Sequence, residues 1–381
     1  MIINRKEFLK ITSKGIIGIA VLNNFFERVF ANTNLSQTKS GELMIEVKTK
    51  KLDLAHTWTI SRNSSDFKNN VFVRITKDGI TGIGEAAPNV RYGENAELTT
   101  RRINEAKPIF ETQNIYHFMN IKSALDKQII DQSCAKAALD IALMDWIGKS
   151  FGVPLYKLWG LNPADSPVTS FSIGIDTTEV IRQKVREAEP YPILKIKVGT
   201  ERDKEIIKTV RSVTDKPIRV DANEGWKSKE LALRNIEWLI SQGIEFIEQP
   251  MPAEMLEETA WLRDNVEIPI IADEAVKSAA DIPVLAQAYD GINIKLMKSG
   301  GLLEALGMIQ MAKSLNMKIM LGCMIESSVA ISAAAHLAPY VDYADLDGNL
   351  LISNDPFSGV KVENGHLVYQ EKPGLGVEGT F

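Results

Sequence analysis

Residues 193–199 read ILKIKVG, and this stretch decides the reading of the chain. Ile193, Leu194, Ile196 and Val198 make a β-favouring apolar run, with Lys195 and Lys197 inside it two positions apart. Strand side chains alternate between faces with period two, so both ammonium groups point the same way. Buried ammonium groups without partners are costly, so that face needs anions or lysines of lowered pKa.

Downstream the pattern repeats. VTSFSIGID, ILKIKVG, PIRVDAN, FIEQP, PIIADE, GINIKLM, KIMLGCM and YADLDGN are strand-like runs ending in polar residues, each followed by a helical segment. Their markers Lys197, Asp221, Glu248, Asp273, Lys295, Cys323 and Asp347 are 24, 27, 25, 22, 28 and 24 positions apart, the length of one strand plus one crossover helix. Eight such units predict an α/β fold over residues 166–355, a closed (β/α)₈ barrel whose site lies at the C-terminal strand ends. There Asp221, Glu248 and Asp273 would converge from three consecutive strands. Their mutual repulsion is relieved by a hard divalent cation such as Mg²⁺. Any one acid alone reads as a salt-bridge partner of a lysine at the barrel rim. Three in a row, with Lys195 and Lys197 before them and Lys295 after, read as a site.

Residues 42–165 have another texture, that of an α+β domain. MIEVKTKKLDL and NVFVRITKDGITGIGEAAP predict antiparallel strands, the second turning at Asp78 and Gly79. AHTWTISRNSSDFKNN between them reads as a polar loop carrying Arg62, with residues 55–69 as a specificity loop. SCAKAALDIALMDWIGKSFG predicts a helix ending at Gly152, with Pro154 just beyond.

Composition narrows the class. A net charge of −5 with no long basic tract argues against nucleic acid as a partner. Cys134 and Cys323, the two cysteines, lie far apart in unlike segments and suggest no disulfide framework. Residues 1–31 carry Arg5, Lys6, Lys10 and Lys14, an apolar run over 15–22, and Val29 and Ala31 as a small-residue cleavage site, the layout of an export signal. NRKEFLK is similar to a twin-arginine signal with Lys6 in place of the second arginine, so a periplasmic location is expected. If residues 1–31 are instead an amphipathic helix, the location is cytoplasmic. No later stretch approaches the roughly 18 continuous apolar residues of a membrane span.

From about residue 44 to the C-terminus, the ordered set KIK, VDAN, EQP, ADE and IKLMKSGG, one motif per strand, resembles the enolase superfamily and its muconate-lactonizing subgroup. The resemblance implies a capping domain over 42–165 and a C-terminal segment, 356–381 with KPGLGV, returning to it. It implies one Mg²⁺ per subunit, replaceable by Mn²⁺, on Asp221, Glu248 and Asp273. It makes Lys197 the base and Lys295 the group on the opposite face, acting through an enediolate. Lys195 assists and meets the substrate carboxylate. A neighbouring ammonium and a dication are expected to lower the lysine pKa.

DLDG on strand eight puts Asp345 and Asp347 on one face. In the resemblance this pair marks dipeptide epimerases and holds the substrate ammonium, with Ser172 and Cys323 lining the pocket. Cys323 reads equally well as a packing residue. Arg62, or nearby Lys68, suits a side-chain carboxylate. The expected substrate is therefore the dipeptide L-Ala-D/L-Glu, as found in cell-wall peptides, with a hydrophobic second residue as the alternative. Cycloisomerases, o-succinylbenzoate synthases and N-succinylamino-acid racemases share the lysines and acids but bind no free ammonium. Sugar-acid dehydratases use a His–Asp pair on strands six and seven, where this chain has Lys295 on strand six and His336 in the helix after strand seven. A non-catalytic periplasmic binding protein has no use for the complete set. Homo-oligomerisation is open.

Overall fold

Three antiparallel strands open the structure, a computed structural model that describes residues 41–380. They are β1 (Met44–Thr59), β2 (Ser64–Lys77) and β3 (Ile80–Ala86). β2 turns into β3 at Asp78 and Gly79, both at positive φ as a tight hairpin requires. The expected polar loop is not a loop. β1 and β2 remain paired out to Thr59 and Ser64, with a register shift between Asp53 and Trp58, so only residues 60–63 turn. The polar residues of 63–70 sit largely on the solvated surface of an extended hairpin, where polarity reports exposure and not loop structure.

Helices α1 (Ala96–Thr112), α2 (Phe118–Gln128) and α3 (Ser133–Ser150) complete the cap. α3 is buried on nearly every side, which is why its apolar residues leave no polar stripe. It lies directly on β3. A Cβ at Gly82 would come within 2.1 Å of the Ala142 carbonyl, and one at Gly84 within 2.0 Å of the Ala138 carbonyl, so the sheet can approach only because both are glycine. The helix ends as expected, with Gly152 left-handed after it.

The eight strand-like runs form one parallel sheet in chain order: β4 (Phe171–Ile173), β5 (Leu194–Lys197), β6 (Ile218–Asp221), β7 (Ile244–Glu248), β8 (Ile270–Ala272), β9 (Gly291–Lys295), β10 (Lys318–Gly322) and β11 (Tyr343–Asp345). The bridge Thr169–Ala344 and the bond from Ser170 N to the Ala344 carbonyl bring the first and last strands together. The crossovers carry α4 (Thr178–Glu187), α5 (Asp203–Arg211), α6 (Lys229–Ile240), α7 (Leu256–Arg263), α8 (Ile282–Leu285), α9 (Leu302–Ser314) and α10 (Ser328–Ala335). Leu194 and Ile196 join the main core outside the barrel, and the alternate residues face inward. Phe246, Ile271, Met320 and Tyr343 fill the lower interior, with Arg219 stacked over Phe246 and Tyr343. That apolar floor leaves the upper layer to the polar residues.

The C-terminal segment meets the cap: Leu375 N donates to Asp145 of α3, and Thr380 accepts from Lys50 and Arg74. The export reading of residues 1–31 lies outside the described residues. Among the described residues no helix is long and apolar enough to cross a membrane.

Candidate active site

Register sets the site. Lys197 pairs with Asp221 and Asp221 with Glu248 across β5, β6 and β7, so the three stand at one level. Lys295 and Asp345 both pair with Gly322, which puts them at one level on the other side. Gly322 adds no side chain there, and a Cβ would strike the Asn293 amide at 2.5 Å. The turns after β6 and β7 hold non-glycine residues at positive φ: Asn223, Glu224 and Gln249. Each such residue costs about 1–2 kcal/mol. The Gln249 side chain pins its turn, accepting from Asp273 N and Ala275 N and donating to Met251 O and Tyr289 Oη.

Single oxygens of Asp221, Glu248 and Asp273 lie within 4.8 Å of one another, and all three residues are fully buried. Lysines surround them. Lys195 Nζ lies 2.6 Å from Glu248, 2.7 Å from Asp345 and 3.4 Å from Asp221. Lys197 Nζ donates to Asp221 at 2.6 Å, and Lys295 Nζ to Asp273 at 2.8 Å. Asn293 donates to the other oxygen of Glu248 at 2.7 Å. Glu248 Oε2, although close to Lys195, has no properly directed hydrogen bond among the described residues. This all-oxygen set with an unsatisfied carboxylate atom suits a hard divalent cation.

Electrostatics follow from that crowding. Burial raises the Glu248 carboxyl, Asp221 beside it adds to the effect, and together they push it up to about 8. Burial also opposes ionisation of Asp221 and Asp273, but Lys197 and Lys195 hold the first below the usual carboxylate range, and Lys295 and Lys298 hold the second well below it. The protein's own groups, without the dication on which the expected depression depends, favour the charged form of Lys195 and Lys295. Burial disfavours their charge, yet Asp345, Glu248 and Asp221 keep Lys195 well above the ordinary range, and Asp273 and Glu248 do the same for Lys295. Several carboxylates outweigh one neighbouring ammonium.

The strand-eight acids behave differently from each other. Asp345 is held down to about 2: burial opposes this, but Lys195 and Lys197 prevail. It accepts from Lys195 and Ser170 Oγ, with Ser172 Oγ at 3.4 Å, so its charge is already matched within the protein. Asp347 is raised to about 6 by burial and by Asp345, and accepts from Ser172 N at 2.6 Å without an ion pair among the described residues. Cys323 Sγ donates to the Asp345 carbonyl at 3.2 Å and lies 3.8 Å from Asp347; burial and the Asp347 charge raise its thiol well above the usual range.

Sequence profiles match this architecture in two pieces: the N-terminal domain of mandelate racemase / muconate lactonizing enzyme over residues 44–160, and the enolase C-terminal domain-like family over residues 178–380. The chain belongs to the mandelate racemase/muconate lactonizing enzyme family of the enolase superfamily. Among its relatives in that family, an L-Ala-D/L-Glu epimerase of Bacteroides thetaiotaomicron is 42% identical over 98% of this chain and 99% of its own. An L-Ala-D/L-amino acid epimerase of Pedosphaera parvula is 44% identical over 84% of this chain and 94% of its own. The crystal structure of a dipeptide epimerase from Enterococcus faecalis, complexed with Mg and the dipeptide L-Leu-L-Tyr, superposes with a TM-score of 0.83 at 33% identity, covering 87% of this chain and 98% of that one.

The family's cap closes the barrel mouth here. A cavity of about 320 Å³ is lined by Lys195, Lys197, Lys295, Asp273, Asp345 and Asp347 from the barrel, with Ser172 and Cys323, and by the hairpin and the 87–96 segment from the cap. Arg62 reaches this mouth, but its guanidinium is engaged by protein groups: Nη1 donates to Glu224 and the Asn223 carbonyl, each at 2.8 Å, and Nη2 to Glu274 at 2.6 Å. The fork expected to await a substrate carboxylate ties the hairpin turn to the loops after β6 and β8. His336 caps the end of α10, off the strands, and its Nδ1 accepts from Tyr156 N.

Three partners escaped the sequence reading. Lys298, inside the quoted IKLMKSGG, donates to Asp273 Oδ1 at 2.5 Å. Asn293 is two residues before Lys295, hence on its face, and reading the period back along β9 finds it. Glu274 follows Asp273 directly; no local signal links it to Arg62, 212 positions away.

Proposed function

We propose that the protein is a Mg²⁺-dependent dipeptide epimerase that inverts the α-carbon of the second residue, with L-Ala-D/L-Glu as substrate. One observation carries the reading. Lys197 on β5 and Lys295 on β9 stand on opposite walls of an eight-stranded barrel, each bonded to a different member of one carboxylate trio. A substrate carboxylate seated between them presents the two faces of its α-carbon to two ammonium-bearing side chains.

Asp221, Glu248 and Asp273 would hold Mg²⁺, or Mn²⁺ in its place, which supplies positive charge for the carboxylate oxygens on which negative charge builds. Lys195 donates to the same carboxylate. One lysine, as free amine, takes the α-proton from its face, and the opposite lysine, as ammonium, returns a proton from the other. The first ends protonated and the second neutral, so the two exchange states and the reverse reaction starts from the product. Asp347, without an ion pair among the described residues, receives the substrate ammonium, and Asp345 steadies Lys195. The Bacteroides relative supports a glutamate at the second position. A second reading, with hydrophobic second residues, is favoured by Trp58, Ile60, Ile325 and Leu351 in the cavity wall and by the Enterococcus relative.

Proton NMR in D₂O with Mg²⁺ tests the proposal. L-Ala-L-Glu should lose its second-residue α-proton signal as the diastereomer appears. Retention of that signal at high enzyme concentration, with other dipeptides also inert, would end the reading.

A further inference from the structure

Three cations of the cap line the catalytic cavity: Arg62, Lys68 and Arg91. Two are committed to the protein. Arg62 is shared between Glu224 and Glu274, and Arg91 grips Glu224 with Nε at 2.8 Å and Nη2 at 2.9 Å. Lys68 alone differs. Its ammonium has no hydrogen-bond or ion-pair partner among the described residues, although the side chain is half-buried. Burial presses it toward the neutral form, so a seated anion would restore its charge.

Its direction follows from the hairpin. Lys68 lies opposite Leu52 in the β1–β2 register, and cross-strand partners share a face. Leu52 packs on Ile325 and Ile352, beyond the ends of β10 and β11. Asn70, two residues along and so on the same face, donates to Glu85 and to the Ile325 carbonyl. Lys68 therefore enters the mouth over β10, whereas Arg62 enters over β6 and β8. In the proposed pose the α-carboxylate faces the acids of β6 to β8, the two lysines flank the α-carbon from β5 and β9, and the ammonium goes to Asp347 after β11. The second residue's own side chain is left with the quarter under the hairpin, where Lys68 waits.

We infer that Lys68, and not Arg62, is the residue that selects an acidic side chain at the second position of the dipeptide. The inference rests on the epimerase reading and sharpens it. Arg62 becomes a latch that holds the hairpin on the barrel and affects all substrates alike.

The test compares kcat/KM for L-Ala-L-Glu and L-Ala-L-Met, near isosteres differing in charge, in wild type, Lys68→Met, Lys68→Arg, Lys68→Glu and Arg62→Met. The Glu-over-Met ratio should fall about tenfold or more in Lys68→Met, because a carboxylate would be buried without its cation. Lys68→Arg should retain the preference, and Lys68→Glu should move it toward L-Ala-L-Lys. Arg62→Met should lower both rates and leave the ratio within about twofold. A ratio unmoved by Lys68→Met and Lys68→Glu, or one that collapses in Arg62→Met instead, overturns the assignment, as does a wild type that prefers L-Ala-L-Met. Failure of wild type to exchange the α-proton of either dipeptide in D₂O overturns the epimerase reading itself, a different result from exchange without dependence on Lys68.

Discussion

Two groups of buried carboxylates meet the same desolvation cost in opposite ways. At the barrel mouth Asp221, Glu248 and Asp273 crowd together and are matched by lysine side chains. At the seam between cap and barrel, Glu85, Asp140 and Asp145 lie apart and are matched largely by backbone N–H groups. Asp140 accepts from Leu302 N and Leu303 N at the start of α9. Glu85 accepts from Ser327 N and Oγ and from Ala330 N at the start of α10. Asp145 accepts from Ile83 N and Leu375 N, with Lys149 beside it. Helix N-termini are fixed dipoles that cannot leave, so Asp140 and Glu85 act as rivets. Ammonium groups on flexible stems can yield, so on the proposed function the mouth acids stay available to a cation and the lysines to a substrate.

Removing a charge from each group should break this symmetry most sharply at the mouth. Asp221→Asn or Glu248→Gln should cut kcat/KM by about a thousandfold or more. Each should also abolish the Mg²⁺-dependent rise in melting temperature while the protein remains folded. A fully active Asp221→Asn enzyme in excess chelator would refute the role of the trio.

Next come the lysines. Lys197→Ala and Lys295→Ala should each abolish epimerisation. Each should still exchange the α-proton of one substrate epimer with D₂O, a different epimer in the two variants. Interconversion of both epimers at wild-type rate by either variant would rule out two bases on opposite faces.

At the seam the loss should be stability. Asp140→Ala leaves the start of α9 with N–H groups unsatisfied and should cost about 2–3 kcal/mol in denaturant unfolding. The rate per folded molecule should stay within about twofold of wild type. A large loss of turnover in the folded variant would dissolve the distinction between rivet and reagent.

The smallest effect is a pH slope. Burial pushes Asp140 and Glu85 each up to about 7. The folded state then holds protons that the unfolded state releases near its ordinary carboxylate values. Their stabilising contribution is complete below those values and is lost as pH rises toward 7. Asp140→Asn should flatten the decline of stability between pH 4 and about 7 relative to wild type, read from melting temperatures across that window. A slope identical in both proteins would show that Asp140 is ionised in both states.

How much of this was legible beforehand depends on the range of the interaction. The barrel could be read because its signals are local. Period-two alternation within each strand turns Lys195 and Lys197 inward whatever lies around them, and strand-plus-helix spacing repeats an acid or a lysine at six of the eight mouth positions. Asp221, Glu248, Asp273 and Lys295 follow from that rhythm with no knowledge of contacts. Residues 55–69 were misread because polarity alone cannot tell a loop from an exposed hairpin; the pairing of β1 with β2 decides it. Which cation is committed and which has no partner among the described residues was equally beyond reach. Arg62 and Lys68 look alike in sequence, six positions apart, and only one of them finds Glu224 and Glu274. The sequence places Lys195 beside the base and the substrate carboxylate, and only β11 brings Asp345 to it, across 150 positions. Local sequence determined where each charge sits along its strand. The closing of the barrel and the docking of the cap decided which charges meet, because Coulomb energy and desolvation depend on neighbours in space.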